Sequence, residues 1–158
     1  MQGTTFGLTP LEGTQEMIKR IQKIYPITTD SVFLDVGSGD GTVVFDFQAQ
    51  TGIIRSIGVE MQQVWHDKAI KQYPEMELYC DRIENRLDLI KKANIIYFNN
   101  ICIPEKVFWE CFDIMKKGTV IIQNKQSIGS KLKKLGYTYT SFYMSANNMN
   151  KETQILRK

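Results

Sequence analysis

Apolar residues recur along this chain in two spacings that alternate with each other. Within residues 14–24, Met17, Ile18, Ile21 and Ile24 fall at helical intervals on one face. Pro26 and the run Thr28, Thr29, Asp30 end that helix. Residues 31–36, Ser-Val-Phe-Leu-Asp-Val, are almost continuously apolar, which suits a strand covered on both faces. A turn at 37–41 leads to a helix over 42–50 and a second strand over 53–59. The pattern then predicts a helix over 63–72, a strand over 77–80, a helix over 85–92 and a strand over 94–98. A helix over 105–115, closed by Gly118, precedes a strand over 119–123 and a short helix over 130–135. Residues 137–144 and 153–156 predict a terminal hairpin, with 145–151 as its polar loop.

Strands separated by helical segments form βαβ units. The expected fold is therefore α/β and Rossmann-like: a mostly parallel sheet, helices on both faces, and a C-terminal antiparallel hairpin, all in one domain over residues 1–158. In such sheets a ligand binds beyond the carboxyl ends of the strands.

Composition narrows the function classes. Hydrophobic residues make up 42% of the chain and charged ones 23%, which is ordinary for a soluble domain. No apolar run reaches the ~20 residues of a membrane span, and no membrane association is expected. The first five residues, Met-Gln-Gly-Thr-Thr, have neither a basic region nor an apolar stretch, so no signal peptide is expected and the location reads as intracellular, cytoplasmic or nuclear. Cys80, Cys102 and Cys111 read as reduced core thiols. With His66 as the single histidine, no metal site is expected. A net charge of +3 is too small to argue for nucleic-acid binding. The richness in Ile, Lys and Asn suits an AT-rich genome, a viral one included.

The strand over 31–36 runs into Gly37-Ser38-Gly39-Asp40-Gly41. Glycines there permit a tight turn and close approach of a ligand to the backbone. The spacing G-x-G-x-G differs from the G-x-G-x-x-G of dinucleotide sites, and no P-loop occurs. The second strand ends in Gly58-Val59-Glu60, where a carboxylate can accept both hydroxyls of a ribose. The third ends in Tyr79-Cys80-Asp81, where another can accept an adenine amine. Asp35, Glu60 and Asp81, at three successive strand ends, read as a nucleoside site.

Residues 33–41 resemble the first motif of class I S-adenosylmethionine-dependent methyltransferases, and Gly58-Val59-Glu60 resembles their ribose motif. Ile95-Ile96-Tyr97-Phe98-Asn99-Asn100 is similar to the strand with paired asparagines in the non-SET histone-lysine methyltransferases, the "disruptor of telomeric silencing" family. Phe6-Gly7-Leu8-Thr9 stands where that family has an aromatic-Gly-Glu-Thr element. The resemblance runs from about residue 5 to residue 123. It implies S-adenosylmethionine as cofactor, with S-adenosylhomocysteine as product. It also implies that Thr9 contacts the methionine end, Asp35, Gly37 and Gly39 line the amino-acid and ribose portions, Glu60 holds the ribose and Asp81 the adenine. Asn99 would face both the methyl group and the entering lysine, as a cofactor-binding and catalytic residue. The sequence departs from the family at Leu8, where the family has glutamate. It departs again at Thr42, expected here as a cofactor-binding residue where the family has the glutamine that follows the glycine loop, and at Arg82, where it has an aromatic ring; Arg82 is expected to stack on the base instead.

The implied partner is a protein with an exposed lysine, a histone or nucleosome included, with direct nucleic-acid binding weak or absent. Phe6, Phe98, Tyr139, Phe142 and Tyr143 are candidates for an aromatic channel that desolvates the lysine amine. His66 reads as a packing or surface residue, Glu84 as a surface one, and Lys131, Lys133 and Lys134 as a solvated basic face. The absence of a [D/N]-P-P-[Y/F/W] motif after the fourth strand argues against methylation of a base amine. The alternatives are the same fold acting on another protein, a nucleic acid or a small molecule, or a non-catalytic cofactor-binding module.

Overall fold

A computed structural model describes residues 8–99, 103–146 and 149–158. Seven strands form one sheet: β1 (Val32–Val36), β2 (Arg55–Glu60), β3 (Glu77–Cys80), β4 (Ile95–Phe98), β5 (Val120–Gln123), β6 (Thr140–Ala146) and β7 (Met149–Arg157). Their order is β3-β2-β1-β4-β5-β7-β6. The first five are parallel, and β7 runs antiparallel between β5 and β6. The chain leaves β1 toward β2 and returns to the other side of β1 with β4. That reversal opens a crevice at the carboxyl ends of β1 and β4.

The two faces of the sheet separate by residue parity. Phe33, Ile95, Tyr97, Val120, Ile122 and Ile155 pack with Met17, Ile18 and Ile21 of α1 (Leu11–Gln22) and with Val43 and Phe47 of α2 (Thr42–Thr51). The rings of Phe33 and Phe47 stack at 3.8 Å. Leu34, Ile96, Phe98, Ile121 and Leu156 face the other way, onto α4 (Leu87–Lys92), α5 (Glu105–Ile114) and α6 (Gln126–Lys134). This period-2 division of nearly all-apolar strands is why β1, β4 and β5 lacked a polar alternation in the sequence. α3 (Gln63–Gln72) links β2 to β3 and brings Ala69 against the glycine loop.

Three expectations are corrected. The helix expected over 85–92 is a 3-10 turn, Ile83–Asn85, followed by α4. The last helix begins at Gln126, not 130, because Ile128 and Leu132 form one buried stripe. Gly129 is tolerated inside it because the Gln154 side chain fills the space a Cβ would need, 2.2 Å from the nearest amide atom. The hairpin is longer than the polar residues suggested. Register pairs Met144 with Lys151 and Ala146 with Met149, so the expected loop 145–151 is mostly strand. Ladder hydrogen bonds use backbone groups, and Lys151 and Thr153 are buried despite their polarity. Among the described residues, no helix is long and apolar enough to cross a membrane.

Candidate active site

The glycine loop is fixed to β2 from several directions. The amides of Gly37 and Ser38 donate to Val59 O at 2.9 and 3.2 Å. Gly37, Gly39 and Gly41 all have positive φ, at 82°, 54° and 81°, a region L side chains rarely occupy. At Gly41 a side chain would also meet Ala69 and Tyr73 at 3.3 Å. Glu60 completes the clamp: its Oε2 accepts the Gly39 amide at 2.9 Å and its Oε1 the Gln62 amide at 2.9 Å. A carboxylate has about four lone-pair sites, so each oxygen keeps capacity for a ligand hydroxyl.

These elements wall a cavity of about 210 Å³ beyond the carboxyl ends of the first four strands. Thr9, Asp35, Gly37 and Gly39 line it, together with Glu60, Asp81, Arg82 and Asn99. Thr42 does not. As the first residue of α2 it turns its hydroxyl to Tyr73 Oη at 3.3 Å, and its amide donates to Asp40 at 3.1 Å. Adjacency to the loop in sequence did not place its side chain in the cavity lining.

Asp35 is 1% exposed, and its Oδ1 has no hydrogen-bond partner among the described residues. Burial, reinforced by the nearby carboxylates of Glu60 and Asp40, pushes its pKa well above the usual carboxylate range. Asp81 lies in the opposite situation. Its Oδ1 accepts from Asn85 Nδ2 at 2.9 Å and from the Arg82 amide at 2.8 Å, and both bonds hold its pKa low. Asn99, one residue past β4, donates its amide to Val36 O at 3.2 Å, and its carbonyl faces Gly37.

Several residues of the site were not anticipated. Tyr97 and Trp65 line the cavity, as does Glu84, which was expected at a plain surface position and instead pairs with Arg82 at 3.1 Å. Tyr97 could have been found by parity, since it pairs with Asp35 in register once β1 and β4 are neighbours. Trp65 sits on the first turn of α3 and Glu84 in the 3-10 turn after β3, and neither position gave a signal in the sequence. Among the described residues, the expected aromatic channel does not form. Phe98 is core, packed edge-on to Phe108, and Phe142 is buried on the α1 side of the sheet. Tyr139 packs under Lys133, Tyr143 is 72% exposed, and Phe6 lies outside the described residues. Of the cysteines, Cys111 is buried but Cys80 is exposed, against expectation, and Cys102 is outside the described residues. His66 is half-buried on α3 and away from the cavity. Lys131 is not simply solvated, since it pairs with Glu105 at 2.8 Å.

The fold is shared with solved methyltransferases. An RNA methyltransferase from Salinibacter ruber, in complex with S-adenosyl-L-homocysteine, superposes with a TM-score of 0.67 at 16% identity, covering 95% of this chain and 92% of that one. A precorrin-6y C5,15-methyltransferase from Geobacter metallireducens GS-15 gives 0.67 at 14% identity, over 91% and 88%. An O-methyltransferase from Bacillus cereus, also complexed with S-adenosylhomocysteine, gives 0.66 at 14% identity, over 96% and 82%. No curated protein matches the sequence. The sequence profile of the family described as "Histone methylation protein DOT1" matches residues 4–153, which is nearly the whole chain. With that match, the seven-stranded sheet and the strand-end carboxylates in agreement, this chain has the class I methyltransferase fold and belongs to the DOT1 family of histone methylation proteins.

Proposed function

We propose that this chain transfers a methyl group from S-adenosylmethionine to the side-chain amine of a protein lysine. The observation that carries the acceptor class is the charge of the cavity. Among the described residues, Asp35, Asp40, Glu60, Asp81 and Glu84 line it, against the guanidinium of Arg82. Asp40 and Glu84 add acidic groups beyond the three carboxylates that suit the cofactor, and that sign favours a cationic side chain over a phosphate backbone.

The residues suit the cofactor. The buried Asp35 Oδ1, without a partner among the described residues, is an acceptor suited to a donor such as an ammonium. Glu60 keeps acceptor capacity for the ribose hydroxyls, Asp81 for the adenine amine, and Arg82 offers a flat guanidinium to the base. Bound there, the cofactor would supply an electrophilic methyl on a sulfonium. The chain's own tasks are alignment and removal of water. Ile103, Pro104 and Val107 give the cavity an apolar wall, and such a wall favours the neutral form of an amine whose reference pKa is ~10.4. Asn99, at the carboxyl edge of β4, orients the incoming amine through its side-chain amide.

Family membership supports a histone as the protein substrate. The test is incubation with methyl-labelled cofactor and core histones, free and as nucleosomes, beside whole-cell protein and RNA. Label recovered as methyl-lysine after protein hydrolysis is the expected result. Label confined to RNA, or none transferred to any fraction by protein that binds the cofactor, overturns the proposal.

A further inference from the structure

The floor of the cavity contains a buried pair of hydroxyls. Tyr97 Oη lies 3.2 Å from Thr9 Oγ1, and the two residues are 1% and 3% exposed. Tyr97 on β4 and Asp35 on β1 are register partners, so their side chains rise from the same face of adjacent strands. All three residues line the cavity. The ring of Tyr97 belongs to the core on the α1 side of the sheet, and phenylalanine would fill that space equally well. It is the hydroxyl that needs an explanation, because burying one is unfavourable unless it is hydrogen-bonded.

The phenol and the threonine hydroxyl hold two protons and share one hydrogen bond, so one O–H remains to donate. Beside it stands a carboxylate oxygen, Asp35 Oδ1, that has no hydrogen-bond partner among the described residues. A spare hydroxyl donor next to a bare carboxylate is complementary to a zwitterion: its ammonium meets Asp35, and its carboxylate meets the O–H. Burial and the charge of Asp35 raise the pKa of the phenol further, so it stays protonated and remains a donor.

We propose that Tyr97 is a positioning residue for the α-amino-acid end of the cofactor, acting through Thr9 and beside Asp35. This rests on the cofactor reading above. Through this contact, affinity depends on the amino-acid end as well as on the nucleoside.

The test compares two ligands by calorimetry: S-adenosylhomocysteine, and 5′-methylthioadenosine, which has the same nucleoside and thioether without the amino acid. Tyr97→Phe is expected to weaken S-adenosylhomocysteine about five- to tenfold and to leave 5′-methylthioadenosine within about twofold. Thr9→Val should give a similar loss, and the double variant should lose clearly less than the two losses combined. Thr9→Val also keeps the proposal testable if Tyr97→Phe fails to fold. Equal weakening of both ligands, no weakening of either, or additive effects of the two substitutions overturns the role. Wild-type protein that binds neither ligand overturns the cofactor reading itself, and this outcome is visible before any variant is made.

Discussion

The Glu60 carboxylate accepts the backbone amide of Gly39 at 2.9 Å, so the acid at the tip of β2 and the glycine loop after β1 form one unit. Removing that carboxylate has two effects. The loop loses a charge-assisted tether, and on the proposed reading a bound ribose would lose its acceptors. Glu60→Ala should weaken S-adenosylhomocysteine about 10- to 100-fold, as expected for loss of about 1.5–3 kcal/mol. Glu84 is unsuitable as a control, since it pairs with Arg82 in the cavity wall. Glu110, exposed on α5 and paired loosely with Lys106 at 3.8 Å, is one. Equal calorimetric affinities for Glu60→Ala and Glu110→Ala would refute the assignment of the ribose.

Asp35 should show opposite effects on stability and binding. A carboxyl whose native pKa is raised holds its proton more tightly folded than unfolded. The ligand-free protein therefore loses stability as pH rises from about 3.9, the unfolded value, up to the raised native one, and the deficit persists above it. Asp35→Asn removes the buried charge. Its ligand-free melting temperature at neutral pH should rise by about 2–8 °C, and its affinity for S-adenosylhomocysteine should fall. Thermal melts against pH should show the wild-type and variant curves converging in acid. Parallel curves would mean that Asp35 is not the group responsible.

Asn99→Ala should separate rate from affinity. Glu60 and Asp81, the carboxylates proposed for the ribose and the adenine, are distinct from Asn99, so ground-state binding should stay within a few-fold of wild type. Misplacing a reacting atom by about 1 Å can slow a reaction on the order of 100-fold. Single-turnover methylation beside calorimetry reads both quantities. A wild-type rate, or joint loss of binding and stability, argues against a role at the reacting centre.

The two cysteines described by the structure should differ in reactivity. Burial pushes the Cys111 thiol up to about 12, while Cys80 lies exposed beside Gln63. The thiolate is the nucleophile. Iodoacetamide at mildly alkaline pH should alkylate Cys80 in the native protein and Cys111 only after unfolding, as read by peptide mass mapping. Early modification of Cys111 would show that α5 opens locally.

Much of this was legible in the sequence because the sheet announces itself by period. The strand ends also announced Asp35, Glu60 and Asp81, since a carboxylate closing an apolar run has few structural uses. What stayed hidden depends on pairing or orientation. Tyr97 reads as one more apolar strand residue until β4 is laid beside β1. Thr42 follows the loop directly, yet the first turn of α2 swings its hydroxyl to Tyr73. Phe98 and Phe142 lie on opposite faces of the sheet, so the aromatics chosen for a channel could not meet. The hairpin was underestimated because its ladder is held by backbone groups that no side-chain pattern reports.

The chain has two tryptophans, and their positions give it an optical reporter. Trp65 is in the cavity wall. Trp109 packs edge-on to Phe108 and Phe112 on α5 and donates its indole N–H to Glu105 at 3.3 Å. An occupant of the cavity would change the emission of the first and leave the second as a constant background. Ligand titrations could then follow intrinsic fluorescence without a label or an acceptor, and Trp65→Phe should silence the signal.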